Sequence, residues 1–94
     1  MKPYAEPQPL GTAKFEPIRA VRYLDEQDAF EVEFESGKIF CIAHATVRRA
    51  NGLSGFDEVD SVWIEAEAHA GFLVRYRNGD WADCAWALVK ETAA

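Results

Sequence analysis

Hydrophobic and polar residues alternate with a period of two along much of the chain, which is the pattern of half-buried β-strands. The alternation begins at Ile18 and is clearest over residues 29–35, where aromatic or aliphatic residues alternate with glutamates. It predicts three strands in the first half, separated by polar links at residues 25–28 and 36–37. The second link ends in Gly37, which favours a tight hairpin because glycine accepts a positive φ.

A two-residue loop at Ser36 and Gly37 would set the register of the second hairpin. It pairs Phe34 with Ile39 and Val32 with Cys41, and all four side chains then point to the core. Across the link at residues 25–28, the same alternation predicts two further cross-strand pairs, Tyr23 with Phe30 and Arg22 with Glu31.

This register turns Phe40 and Ile42 to the opposite face of the sheet. A small domain buries only about 60% of the surface of its unfolded chain, so exposed apolar side chains of this size call for a cover. We therefore expect Phe40 and Ile42 to contact other chain segments or a partner, and a homodimer is favoured over a monomer.

Residues 44–50 predict a short helix, because cations stand in its last turn and Asn51-Gly52 can end it. Further strands are predicted at 61–67 and 72–77, with Asn78-Gly79 as a turn. Residues 82–92 are rich in Ala and Leu and favour a closing helix, with a sixth strand passing into a helix as the alternative.

The two halves resemble each other when the chain is shifted by 42 residues. The alignment superposes residues 29–39 on 71–81, so that Phe30, Val32 and Gly37 meet Phe72, Val74 and Gly79. The predicted fold is therefore α+β, a mostly antiparallel sheet built from two pseudo-repeated β-hairpin units (18–43 and 61–85) with two short helices.

Outward charges are inverted between the two units. Glu33 and Glu35 correspond to Arg75 and Arg77, and Lys38 corresponds to Asp80. Such an inversion suits two hairpins that lie side by side in one chain or across two chains, and it also suits a solvated face.

Composition narrows the class of protein. The four prolines lie within residues 1–17, so we interpret 1–16 as a Pro-rich extended arm and 17–94 as a single domain. The net charge of −6 repels a phosphate backbone, which disfavours nucleic-acid binding. Two cysteines are too few for a disulfide-rich secreted domain, and the chain has neither a signal-like start nor a run long enough to span a membrane, so we expect a cytoplasmic protein.

Candidate chemistry is sparse. Cys41 and His44 have half-site spacing for zinc, and Asp83 with Cys84 stands near the matching place in the second unit. A cysteine activated by His44 or His69 is a further candidate, although no electropositive setting is evident. Since a mid-strand thiol more often acts as a small hydrophobe, we expect no metal, no cofactor and no catalytic residues.

One basic cluster is present. Arg48 and Arg49, with Lys90 at the corresponding place in the second unit, could contact nucleic acid or another anionic partner, although cations also suit a helix C-terminus. Trp86 is the tryptophan expected at the surface as an anchor for a protein contact, whereas Trp63 and Trp81 are expected in the core.

The segment 15–38 resembles a family of short bacterial domains of unknown function. In that family a strand with Ile and Val is followed by a hairpin of the form hydrophobic-x-Val-x-Phe-x-(Asp/Ser)-Gly, here Phe30 to Gly37. Some members stand alone and others precede a helix-turn-helix DNA-binding domain. The resemblance implies a similar fold and a bacterial origin, and it brings no catalytic residues.

The function that these observations favour is a non-enzymatic binding or regulatory module acting through protein-protein contacts. Its expected interaction residues are Phe40, Ile42, Arg48, Arg49 and Trp86. Two alternatives stay open: a small metal- or thiol-dependent enzyme using Cys41, His44 and Cys84, and a nucleic-acid accessory protein using Arg48, Arg49 and Lys90.

Overall fold

The computed structural model describes residues 14–55 and 57–92. Its elements, in chain order, are β1 (Ile18–Leu24), β2 (Ala29–Phe34), β3 (Ile39–Ala43), α1 (His44–Ala50), β4 (Val59–Ile64), β5 (Gly71–Tyr76), β6 (Trp81–Ala85) and α2 (Trp86–Thr92).

Two antiparallel three-stranded sheets form the architecture. The first has the order β1-β2-β3 and the second the order β4-β5-β6, and each is followed by one short helix. The fold class is therefore α+β with two hairpin-like units, as the alternation and the turn residues predict. We call β1 to α1 the first unit and β4 to α2 the second unit.

The two units repeat each other in hydrogen bonding as well as in sequence. Elements β2, β3 and α1 map onto β5, β6 and α2 with a shift of 42 residues, whereas the first strands map with a shift of 41 (Pro17 on Glu58). The amide of Glu35 donates to the carbonyl of Pro17, and that of Arg77 donates to the carbonyl of Glu58, both at 3.0 Å. We call residues related in this way counterparts.

Phe34 pairs with Lys38 and leaves a three-residue loop, residues 35–37, so the predicted pairing of Phe34 with Ile39 is wrong. Phe34 accepts a 2.8 Å bond from the amide of Gly37 and donates a 2.9 Å bond to the carbonyl of Lys38, while Gly37 has φ +93°. This is a turn closed by a left-handed glycine, in which Gly37 is the third loop residue and not the second. The predicted pairs of β1 with β2 are confirmed at Arg22–Glu31 and Tyr23–Phe30.

A shift of one residue exchanges the two faces of a strand. Val32 pairs with Phe40 and Phe30 with Ile42, so Ile42 is buried and Phe40 packs against the core. Cys41 is exposed, contrary to the prediction that it faces the core. The chain itself packs against Phe40 and Ile42, so these two side chains do not need a second copy as their cover, and the homodimer stays a prediction.

Helix α1 has the predicted bounds. The amides of Leu53 and Gly52 donate to the carbonyls of Arg48 and Arg49, and Gly52 has φ +70°, which is the glycine-dependent Schellman ending. The prediction of one uninterrupted helix over residues 82–92 is wrong. The alternative, a sixth strand that passes into a helix, is confirmed, because residues 81–85 form β6 and the helix begins at Trp86. The alternation of buried Ala82 and Cys84 with exposed neighbours marks this strand.

Each helix packs against the third strand of the other unit. Helix α1 contacts β6 and α2 contacts β3, while β1 lies beside β4. Asn51, at the end of α1, bonds both the carbonyl and the amide of Asp83 through its side chain, at 2.9 and 3.1 Å. As a result, one core cluster draws on both units: Ile18, Phe30, Val32, Phe34, Ile42, Val47, Phe72, Val74, Tyr76, Ala82, Cys84 and Val89.

Of the predicted arm, residues 1–13 lie outside the described part of the chain. Residues 14–17 have no regular secondary structure and run along α2. Phe15 packs edge-to-face on Trp86 with ring centroids 5.4 Å apart, and Glu16 forms an ion pair with Lys90.

Candidate functional site

A buried histidine at the start of α1 is the centre of a polar cluster. His44 is 2% exposed, and its Nδ1 lies 2.8 Å from Oδ1 of Asp28. Its Nε2 lies 2.8 Å from the hydroxyl of Tyr76, which belongs to the second unit. Arg48, one helical turn after His44, places Nη1 2.9 Å from Nδ1 and Nη2 3.9 Å from Oδ2 of Asp28.

The charge of Asp28 assigns the protons in this cluster. A hydrogen bond from Tyr23, followed by the bond from His44, lowers the pKa of Asp28, so the carboxylate is ionised at neutral pH. His44 therefore donates from Nδ1 to Asp28, and its Nε2 shares a hydrogen bond with the Tyr76 hydroxyl. Because Nδ1 carries a proton, the Arg48 guanidinium acts on Asp28 as a nearby positive charge and does not hydrogen-bond Nδ1.

Both tyrosines of the cluster are held in the neutral form. Burial raises the pKa of Tyr76, and burial followed by the bond to Asp28 raises the pKa of Tyr23 to about 12. The Tyr23 hydroxyl donates to Oδ1 of Asp28 at 2.6 Å. The order Tyr76–His44–Asp28 is that of a proton relay, but a phenol with a raised pKa is a weak nucleophile, so the cluster serves better to position groups than to attack a substrate.

Local backbone geometry brings Asp28 and His44 together. Asp28 ends the β1–β2 loop with φ +52°, a conformation that aspartate adopts more readily than most residues. Its carbonyl accepts a 3.0 Å bond from the amide of His44, and so the two side chains start from adjacent backbone groups. The counterparts Ala70 and Trp86 share this backbone bond at 2.8 Å, which shows that the scaffold does not need the polar side chains.

A cleft of about 240 Å³ opens beside the polar cluster. Arg48 and Tyr76 belong to both the cluster and the cleft wall. The remaining wall comes from the loop after α1 and from the β5–β6 turn: Gly52, Leu53, Ser54, Gly55, Asp57 and Asp80.

The opposite end of the molecule, where the counterparts lie, is apolar and filled. Phe34 and Trp86 stand where the polar end has Tyr76 and His44, and Phe15 packs on Trp86. Lys90, the counterpart of Arg48, lies 4.9 Å from the Phe34 ring centroid and 5.9 Å from that of Trp86. Since the same fold closes one end with rings, the polar end is an addition to what folding requires.

The four candidate zinc ligands do not form a site. Cys41 is exposed on the first sheet, His44 is bonded within its cluster, and Asp83 and Cys84 point to opposite faces of β6. Burial raises the pKa of Cys84 to about 12. Among residues 14–55 and 57–92 no group of three or more His, Cys, Asp or Glu side chains could hold a metal ion.

The basic residues singled out in the sequence differ in their surroundings. Arg48 turns inward to Asp28, and Lys90 bonds Glu16 at 2.7 Å, so both charges are partly offset. Arg49 is exposed. His69, the other histidine, is exposed in the β4–β5 loop, where its carbonyl accepts a 2.8 Å bond from the amide of Ile18.

The outer face of the second sheet carries an exposed aromatic pair. Trp63 is 37% and Trp81 is 50% exposed, and their rings meet edge-to-face with centroids 5.3 Å apart. Arg75 lies 5.5 Å from the Trp81 ring centroid. Leu73, the cross-strand neighbour of Trp63, lies on the same face. We call Trp63, Leu73, Arg75 and Trp81 the tryptophan face.

The predicted roles of the tryptophans are therefore reversed. Trp63 and Trp81 do lie on strands, but they are surface residues, whereas Trp86 is half-buried beneath Phe15. Alternation along a strand does not show which face of the strand packs against the core. That choice decides whether a tryptophan on the strand is buried or exposed.

The outer face of the first sheet is charged where the second is aromatic. Arg22 pairs with Glu31 at 2.7 Å, and Arg19 pairs with Glu33. Arg77, which follows β5, lies 3.4 Å from Glu58, which precedes β4. Of the charges inverted between the units, Glu33 and Arg77 are therefore each paired within their own unit.

Two residues of the cluster stood out in the sequence: His44, as a metal ligand or as the activator of a cysteine, and Arg48, as a contact for an anionic partner. Asp28 and Tyr76 lie 16 and 32 residues from His44, and no motif spacing joins them. The internal repeat did indicate the site, because the shift of 42 residues aligns Tyr76 with Phe34 and His44 with Trp86. At these positions one copy has a ring with a hydrogen-bonding group, and the other has a bulkier or purely apolar ring.

Comparison of the chain with family models, with curated proteins and with solved structures found no match. In the described part of the chain, neither helix has the length and apolar character that crossing a membrane requires.

Proposed function

We propose that this protein is a non-enzymatic binding module that contacts a partner protein through the tryptophan face. The observation that carries the proposal is the exposed pair of Trp63 and Trp81, with Arg75 beside it. Tryptophan and arginine are the residues most enriched among those that dominate the binding energy of protein interfaces.

The internal repeat supports a role for this face beyond folding. The counterparts of Trp63, Leu73 and Trp81 are Arg22, Glu31 and Ile39, and the first sheet forms with those residues in place. Exposing two tryptophans to water is unfavourable, since burying an apolar side chain gains about 1.5–3 kcal/mol. A bound partner would recover that free energy.

The charge on the face indicates the chemistry of the partner. No carboxylate among residues 14–55 and 57–92 lies within 4 Å of the Arg75 guanidinium, although Arg19 and Arg22 on β1 and Arg77 after β5 each have one. The fitting partner therefore presents a carboxylate next to an aromatic or aliphatic side chain. The net charge of −6 opposes a nucleic-acid partner.

The proposal includes a cytoplasmic location and membership of the bacterial family that residues 15–38 resemble. The two free cysteines suit a reducing compartment. Self-association stays a prediction, and the experiment below separates it from binding of another protein.

The test is selection of peptides from a random library on the intact protein, followed by anisotropy titration of the enriched peptides. We expect enriched peptides to pair an acidic with an apolar residue. Trp81→Ala is expected to weaken their binding about tenfold or more, Arg75→Glu to remove the preference for acidic residues, and the counterpart variant Ile39→Ala to bind as the parent.

Three results would count against the proposal. They are the absence of any enriched peptide, binding that Trp81→Ala leaves unchanged, and a dimer in sedimentation velocity that Trp81→Ala dissociates. The last result would assign the tryptophan face to a second copy of this chain.

A further inference from the structure

Lys90 and Glu16 form an ion pair at the apolar end of the molecule. Nζ of Lys90 lies 2.7 Å from Oε1 of Glu16, and Oε2 of Glu16 accepts a 2.7 Å bond from the amide of Ser36. The pair ties the segment before β1 to α2. No cleft remains between the two charges, because the side chains are in direct contact.

The counterparts at the polar end are Arg48 and Asp57. Asp57 repeats the turn contact of Glu16, since its Oδ2 accepts a 2.7 Å bond from the side chain of Asn78, the counterpart of Ser36. Arg48, however, makes no ion pair with Asp57: its nearest carboxylate is Asp28, at 3.9 Å. Arg48 and Asp57 instead both line the 240 Å³ cleft.

The fold thus places a cation and an anion in the positions of an ion pair and leaves a cleft at that place. A ligand that satisfies both must carry a negative group for Arg48 and a positive group for Asp57. Asp80 strengthens the requirement for a positive group. Nδ2 of Asn78 donates to Oδ2 of Asp57 and also, at 3.0 Å, to Oδ2 of Asp80, so both carboxylates lie beside the same amide group. A ligand cation would relieve the repulsion between these two carboxylates.

We propose that the cleft binds a small zwitterion, a molecule of the amino-acid class with one carboxylate and one ammonium group. The cleft is smaller than the roughly 300–1,000 Å³ of pockets for drug-sized ligands, which suits a molecule of that size. The Arg48 guanidinium receives the carboxylate, and Asp57 with Asp80 receives the ammonium. The hydrogen bonds between Tyr76 and His44 and between His44 and Asp28 hold the wall behind Arg48.

This site is independent of the tryptophan face, and the two proposals can fail separately. The zwitterion proposal needs neither Trp63 nor Trp81. The peptide experiment, in turn, does not involve Arg48 or Asp57.

The test is a titration of the ¹⁵N-labelled full chain with glycine, β-alanine and 4-aminobutyrate, followed by amide chemical shifts. These probes carry both charges at increasing separation. Butyrate and butylamine, which carry one charge each, are the matched controls. We expect saturable shifts in the loop after α1 and in the β5–β6 turn with at least one zwitterion, and about tenfold weaker effects with the singly charged compounds.

Asp57→Asn and Arg48→Gln are each expected to weaken that binding about tenfold or more, whereas Arg49→Gln, on the exposed side of the same helix, leaves it unchanged. Asp57 is exposed, so its variant tests the site even if Arg48→Gln unfolds. The proposal is overturned if no zwitterion gives saturable shifts, if butyrate or butylamine binds as well, or if Asp57→Asn binds as the parent does.

Discussion

The hydroxyl of Tyr76 in the second unit forms a 2.8 Å hydrogen bond with the buried Nε2 of His44 in the first unit. The bond joins residues 32 positions apart, and the equivalent place at the other end holds Phe34 and Trp86. The two units are therefore linked by a hydrogen bond at this end, whereas apolar aromatic side chains occupy the equivalent positions at the other end.

Replacing Tyr76 with Phe is expected to lower the free energy of unfolding by about 1–3 kcal/mol, because the buried Nε2 of His44 loses its partner. Equilibrium urea unfolding measures the change. Tyr23→Phe removes a bond to the exposed carboxylate of Asp28, and is expected to cost less, about 0.5–1.5 kcal/mol. A Tyr76→Phe variant as stable as the parent would show that Nε2 finds another partner.

Gly71 lies where the two units differ in the space available to a side chain. A Cβ at this position would lie 2.6 Å from the carbonyl oxygen of Cys84, whereas the counterpart Ala29 is accommodated in the core. We expect Gly71→Ala to destabilise the fold by about 1–3 kcal/mol, since backbone must shift. Thermal and urea unfolding test this expectation, with Ala29→Gly as the reverse change. Equal stability of Gly71→Ala and the parent would mean that β5 and β6 separate without cost.

The ion pair of Glu16 makes stability depend on acid pH. The bond from Lys90, followed by bonds from Ser36, lowers the pKa of Glu16 from 4.5 to about 2. A lowered folded-state pKa contributes stability above pH 4.5, and that contribution is lost as the pH falls to about 2. We expect Glu16→Gln to flatten the fall of the unfolding midpoint over this range, while the exposed Glu26→Gln keeps the parental slope. Parallel curves for the parent and Glu16→Gln would contradict the ion pair.

The two cysteines are expected to differ in reactivity. Cys84 is 2% exposed and burial raises its pKa to about 12, whereas Cys41 is exposed. Maleimide treatment of the native protein at neutral pH should therefore add one label, and treatment in denaturant should add two, as mass spectrometry reports. In Cys41→Ser the native protein should take up none. Rapid native labelling of Cys84 would instead mean that β6 opens readily.

The strands could be predicted from the sequence because their causes are local. Alternation at residues 29–35 makes one face apolar, and Gly37 and Gly79 supply the positive φ that the β2–β3 and β5–β6 turns need. The 42-residue repeat then extends the prediction from one unit to the other. Helix α1 is local in the same sense, since Gly52 ends it.

The register could not be predicted, because it depends on one residue of loop length. With a two-residue loop Cys41 faces the core, and with the observed three-residue loop Ile42 does. Both pairings satisfy the alternation within the hairpin. Packing of the first unit against the second favours the pairing that buries Ile42 and Phe40.

The sequence by itself determined the α+β class, the two repeated units and the bounds of α1, because alternation, turn glycines and helix ends act over a few residues. Only the tertiary structure decided which face of β6 is exposed to solvent, that Trp81 lies on that face, and that His44 hydrogen-bonds Tyr76. Those outcomes depend on how two units separated along the chain dock, each helix against the third strand of the other unit, and no local pattern encodes that docking.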